Sequence, residues 1–340
     1  MEKWYEKTGP ENDVVLSTCI RLNRNLRDYP FSEKMSRSHQ AAVTKCVLQA
    51  SKDSCILDRF QLQYLPMEQL TKTEMVSLVE LQLANPEFIS VPEGRGVLLS
   101  GDESVSILLN GENHLQVQAN EAGLDFEKAY RAADELDSLL EKNLTFAFDE
   151  TLGYLTQNPM NLGTGLSASL SLHLPALQEN GGAARISASL APLGLSLRAG
   201  GGKGSEPKGA VYYLSNRVSL GLSESEAISN LQNIAMQIIT QERAARDELV
   251  QELEVQDTIC RSLGILKSAR IMSYEEFQGL ISNVRFGISA GLITEIGYEI
   301  VDRLSFEMQP ATLLVMSGKK LTVNERRNLR AQKIKEILKN

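Results

Sequence analysis

Apolar residues recur three or four apart between 125 and 143, at Phe126, Tyr130, Ala133, Leu136 and Leu140, with polar residues between them. That spacing predicts an amphipathic helix, with Asp125 placed to cap its first turn. Upstream the rhythm is different. Residues 104–109 and 115–118 are short apolar or alternating runs broken by Gly, Asp and Asn, which predicts neighbouring strands. Residues 193–216 read as two strands joined by a loop too rich in glycine and polar residues for regular structure. After Ser223 the pattern widens: Ala227, Ile228, Leu231, Ile234, Ala235, Ile238 and Ile239 predict a long helix. Further helices are expected over 274–288, 295–308 and 324–338, punctuated by Gly264, Gly287, Gly291 and the Gln309-Pro310 pair. Strands mixed with helices, then helices alone, imply an α+β domain with an antiparallel sheet flanked by helices over 1–246. An all-helical domain is expected over 247–340.

Composition narrows the function. Lys and Arg total 35 against 43 Asp and Glu, so 35 − 43 = −8 over 340 residues. A general nucleic-acid binder needs a basic face, so that class is excluded. No apolar run approaches the roughly 20 residues of a membrane span. The amino terminus is charged with no apolar stretch behind it, unlike a signal peptide. Cys19, Cys46, Cys55 and Cys260 lie far apart without zinc-site spacing, and a reducing cytoplasm is the expected setting. The run 200–204 is not a P-loop, because Lys203 is followed by Gly204 rather than by Ser or Thr.

Four ordered strings carry a family resemblance. Residues 17–25, STCIRLNRN, resemble the S-S-R-I-R-L-x-R-N signature of guanidino kinases. Residues 110–116, NGENHLQ, resemble their N-E-E-D-H-L-R. Residues 158–169, NPMNLGTGLSAS, resemble C-P-T-N-L-G-T-G-L-R-A-S, and residues 198–206, RAGGGKGSE, resemble R-G-x-Y-G-E-G-S-E. The helical tail, with NERRNLRA at 324–331, is similar to the N-E-R-D-x-x-R-A tail of McsB-type protein-arginine kinases. The resemblance covers nearly the whole chain. It implies the guanidino-kinase fold, γ-phosphoryl transfer from ATP to a guanidinium, and a homodimer held through the tail. It also implies an McsA-like zinc-binding partner and a Clp-type unfoldase in protein quality control. Guanidino kinases of small substrates carry a helical amino-terminal domain ahead of this signature. A signature starting at Ser17 therefore points to protein substrates.

The differences from the family fall where its chemistry lies. Phosphoryl transfer is mostly positioning and charge neutralisation, and arginines clamp the phosphates. The resemblance implies a nucleotide-binding set of Ser17, Thr18, Cys19, Arg21, Gln116, Ser167, Ala168, Ser169, Arg198 and Lys203. Of its five clamp positions only Arg21 and Arg198 remain arginine, while Cys19, Gln116 and Ser167 are neutral. The catalytic pair keeps Glu112 as a vestigial base beside Gly111, the next acid is Asn113, and Asn158 stands at the family's cysteine. Removing one preorganised donor costs on the order of 2.7–4 kcal/mol in the transition state. Three such losses approach roughly 8–12 kcal/mol, an additive ceiling.

The tail motif has Arg327 where the family's phosphoarginine pocket has an acid, between Arg326 and Arg330. That reversal disfavours a guanidinium and favours a simple anion. Two readings stand: a pseudokinase acting by binding, or a weakened protein-arginine kinase using Arg21, Arg198, Glu112 and Lys203. ATP and magnesium belong to the first only if residual nucleotide binding persists. Structural roles are expected for His114 and His173, and for Cys19 as a buried thiol. Arg24 reads as a surface residue, and the tail lysines as a solvated helix face.

Overall fold

A computed structural model describes residues 1–200 and 208–339. After a short 3-10 turn over Trp4–Glu6 come strand β1 (Val15–Arg24), helices α1 (Arg37–Asp53) and α2 (Ile56–Arg59), and strand β2 (Leu62–Pro66). Helices α3 (Lys72–Glu80) and α4 (Pro86–Ser90) precede strands β3 (Gly96–Ser100), β4 (Val105–Leu109) and β5 (Leu115–Ala122). Then come helix α5 (Phe126–Glu141), the hairpin β6 (Phe148–Asp149) and β7 (Gly153–Tyr154), and strand β8 (Leu166–His173). Helices α6 (Pro175–Glu179) and α7 (Gly182–Leu190) lead to strands β9 (Leu195–Ala199) and β10 (Val211–Asn216). The remainder is helical: α8 (Glu224–Leu249), α9 (Leu253–Ser268), α10 (Tyr274–Ser289), α11 (Tyr298–Glu307), α12 (Pro310–Ser317) and α13 (Val323–Ile337).

Eight described strands form one sheet in the order β2-β3-β4-β5-β1-β8-β10-β9. Its pairings are antiparallel throughout. Alternation along each strand gives the sheet two unlike faces. Ile20 and Leu22 of β1 point with Val117, Leu170 and Leu214 into the main core, which α1, α5 and α8 cover. The first turn of α5 is closed as its sequence requires, with Asp125 accepting from Lys128 N at 3.0 Å. A smaller core of Trp4, Met75, Leu83, Phe88, Val97, Leu108 and Phe306 covers part of the other face near β3 and β4.

Helix α8 runs unbroken past Arg246, and its Ala245 packs against both the main core and that of the helical part. Two of the polar ties that join these parts are centred on Glu80 and Arg285. Glu80, at the end of α3, accepts from Ala311 N (3.0 Å), Thr312 N (2.7 Å) and Thr312 Oγ1 (2.8 Å), closing the first turn of α12. Arg285 is paired with Asp302 (2.8 Å) and donates to the main-chain oxygens of Asn12 and Asp13. Three helical readings are adjusted. Helix α11 starts at Tyr298 because Gly297 is extended at its N-cap. Helix α12 begins on Pro310, which reads as a break but fits the first helical position. Helix α9 was absent from the pattern because its buried stripe is narrow, with Ile259, Ser262 and Leu266.

Candidate functional site

Strand alternation sorts the expected residues into two sets. Ser17, Cys19, Arg21 and Asn23 of β1 lie opposite Ala122, Asn120, Gln118 and Gln116 of β5. On its other side, Ser17, Cys19 and Arg21 meet Ser171, Ser169 and Ser167 of β8. Ser171 continues across to Tyr213 of β10, and Tyr213 to Arg198 of β9. Directly opposed residues share a face. Ser17, Cys19, Arg21, Gln116, Ser167, Ser169 and Arg198 therefore form one polar surface. Thr18 and Ala168 lie one residue out of phase and are wholly buried on the opposite face. Thr18 Oγ1 donates to Gly123 O (2.6 Å) and accepts from Asp125 N (3.0 Å). The side chains of Thr18 and Ala168 are thus removed from the nucleotide-binding set. Lys203 lies outside the described residues.

The polar surface carries little charge. Arg21 is half-buried, and its Nε donates to Gln118 Oε1 at 2.8 Å. Arg198 is exposed and makes no ion pair among the described residues. It stands in the row of Ser17, four residues from Arg21 and three strands away, on the order of 19 Å by sheet spacings. Between these two cations lie hydroxyls and a thiol. Cys19 is buried, and burial pushes its thiol up more strongly than Arg21 and Ser169 pull it down, which disfavours the thiolate. Two residues that motif reading passes over shape this face. Gln118 Nε2 donates to Gln82 O (2.6 Å), and Gln82 Nε2 donates to Tyr213 Oη (3.3 Å). Gln82, held at a φ of 61°, thus lies across the sheet.

Glu112 occupies a separate cleft of about 330 Å³, lined among others by Glu33, Phe88, Arg95, Gly111, Asn113 and Gln116. Gln116 belongs to both cleft and polar surface, and it donates to Asn23 Oδ1 at 2.8 Å. Glu112 is exposed and makes no hydrogen bond among the described residues. Asn113 is buried as a structural amide, accepting from Asn25 Nδ2 (2.8 Å) and Gln157 N (3.1 Å). A Cβ at Gly111 would stand 3.1 Å from Phe88 Cδ2, so the aromatic ring crowds the position of the missing acid. Arg95 is the cation of this cleft, but Nε and Nη1 are committed to the main-chain oxygens of Asn110, Glu87 and Phe88. Asn158 lies outside it and caps the turn that follows by accepting from Met160 N (3.1 Å).

Other candidates serve the framework. Arg24 is a core residue rather than a surface one: it is 2% exposed, is paired with Asp137 at 2.7 Å, and stacks 3.5 Å from the Tyr154 ring centroid. Its signature position places it on the buried face. His114 accepts from Leu26 N (2.9 Å) through Nδ1, so its Nε2 donates to Pro30 O (2.9 Å). His173 is buried against Ser282, and burial together with Arg285 and Arg246 drives its pKa well down. In the tail, Arg330 is buried and donates to Met308 O (2.9 Å) and Met272 O (3.1 Å). Two donors of its guanidinium, Nε and Nη1, thus brace the chain. Arg326 and Arg327 are half-buried beside it, each with a buried Nε that lacks a partner among the described residues. Among the described residues no side-chain cluster suits a metal ion, and no helix is long and apolar enough to cross a membrane.

Comparison with known proteins follows the same division of the chain. The family profile "ATP:guanido phosphotransferase, C-terminal catalytic domain" matches residues 42–245, and "Protein-arginine kinase McsB C-terminal domain" matches 252–340. A protein-arginine kinase of Halothermothrix orenii is 41% identical over 340 residues, covering 99% of this chain and 97% of its own. One from Brevibacillus brevis is 40% identical over 338 residues, covering 99% and 95%. Among solved structures, lombricine kinase aligns with a TM-score of 0.57 and 23% identity over 70% of this chain and 68% of its own. The duplicated taurocyamine kinase of Schistosoma mansoni aligns at 0.58 and 23% over 67% of this chain, which spans 33% of that longer protein. These two structures share the fold.

Proposed function

Because the chain belongs to the ATP:guanido phosphotransferase family, as a homologue of protein-arginine kinases along its whole length, we propose that it is a pseudokinase acting by binding. It retains the guanidino-kinase frame and works in protein quality control in the cytoplasm. Its partners there are a second copy of itself, an McsA-like zinc-binding protein and a Clp-type unfoldase. The observation that carries this reading is the neutrality of the sheet's polar face. Cys19 is buried, Ser167 and Gln116 carry no charge, and Arg21 is tied to Gln118. The described residues do not fit a magnesium-bound triphosphate, whose transfer needs charge neutralisation at every oxygen that gains charge. Crowding of Gly111 by Phe88 supports the same conclusion for the acceptor side.

A second reading, a weakened ATP-dependent protein-arginine kinase, draws on the names of the relatives and on the retained Arg21, Arg198 and Glu112. One assay separates the two. The full chain is incubated with labelled ATP, magnesium and an arginine-rich unfolded protein, and acid-labile phosphate is scored. The pseudokinase leaves the protein unlabelled. Labelling that Glu112→Gln abolishes would establish the kinase instead.

A further inference from the structure

A second concavity, about 530 Å³, lies between the outer face of α1 and the sheet's edge strand β2. Its chemistry runs against the character of the chain. Arg37, Lys45, Lys52 and Arg95 line it with Glu68 as the acid, so 4 − 1 = +3, on a protein whose total is −8. Helix geometry explains the wall: positions 37, 45 and 52 fall within about 80° of arc at roughly 100° per residue. Leu48 lies between them. The floor is Tyr64, which lies over Gly96, where any Cβ would meet its ring at 2.4 Å. Lys45 and Lys52 are exposed and make no ion pair among the described residues. Arg37 pairs with Glu68 at 3.3 Å, but both are largely exposed, so this contact is weak and exchangeable.

We propose that this groove docks an acidic, partly apolar polypeptide segment of a partner protein. Unpaired ammonium groups along a rim attract carboxylates, and Leu48 with the Tyr64 ring receives the apolar side chains between them. A nucleic acid fits less well, because the strongly acidic remainder of the molecule repels a long polyanion and the cationic footprint is short. The inference does not depend on whether phosphoryl transfer survives, since Glu112 and Arg21 do not line this groove.

The test uses the full chain and a short fluorescein-labelled peptide alternating glutamate and leucine, read by anisotropy. Binding is expected, weakening as salt rises. Lys45→Glu/Lys52→Glu should weaken it about tenfold or more, by turning two attractions into repulsions. Lys45→Arg/Lys52→Arg should leave it within about twofold. Lys319→Glu/Lys320→Glu, which changes the net charge equally away from the groove, should do the same. Unchanged circular dichroism of each variant keeps the comparison on binding. Equal binding of a lysine–leucine peptide, indifference to the Lys45/Lys52 reversal, or tighter binding of a single-stranded oligonucleotide would each overturn the proposal.

Discussion

Glu242 is a carboxylate 1% exposed, accepting from Ala176 N (3.0 Å) and Leu177 N (2.9 Å). Burial outweighs those bonds and pushes it up to about 7, from an ordinary 4.5. The folded protein therefore holds a proton that the unfolded chain releases between those values. Stability from this group falls as pH rises through that window and is flat above it, with a ceiling of about 3 kcal/mol. Glu242→Gln should flatten urea-melt stability between pH 5 and 7 while costing about 1 kcal/mol at pH 5. Asp13 acts in the opposite sense. Burial raises it, but hydrogen bonds from Arg243 and Arg246 outweigh that and hold it below the usual carboxylate range, so its contribution disappears in acid. Neither carboxylate was legible in the sequence, since desolvation depends on neighbours far along the chain. The neutral clamp positions were legible, because each falls inside a fixed string. The exclusion of Thr18 and Ala168 needed the register of β1 and β8.

At the level of elements, periodicity located what is amphipathic. The stripe at 126–140 became α5, and the runs at 104–109 and 115–118 became β4 and β5. Strand β5 continues to Ala122 because Gln118 and Asn120 are buried polar residues, which alternation alone treats as exposed. Helix α12 was obscured for another reason: its cap comes from a different element. Glu80, 231 residues earlier than Ala311, supplies the oxygens that close its first turn. Glu80→Ala should cost about 1–2 kcal/mol in chemical denaturation, the range of a lost N-cap. Amide exchange should speed up locally at Ala311 and Thr312, and Glu80→Gln should recover part of the loss.

Across the whole molecule, the retained fold and the sparse charge of the sheet's polar face are separate properties. The sheet, its helices and the helical tail rest on apolar burial, strand register and internal polar ties, all of them present. A triphosphate seat needs converging cations, and the described residues offer Arg21 and Arg198 far apart. Magnesium-ATP should therefore shift the melting temperature by less than about 1 °C. A ligand present at a hundred times its Kd would add roughly 2.7 kcal/mol and move the melt by several degrees. That experiment reports binding independently of transfer. Phe88 beside Gly111 gives the altered cleft a sense of direction. Glutamate restored there alone requires the Phe88 ring to give by a few tenths of an ångström, and it leaves the clamp neutral, so one repaired position does not by itself regain the chemistry.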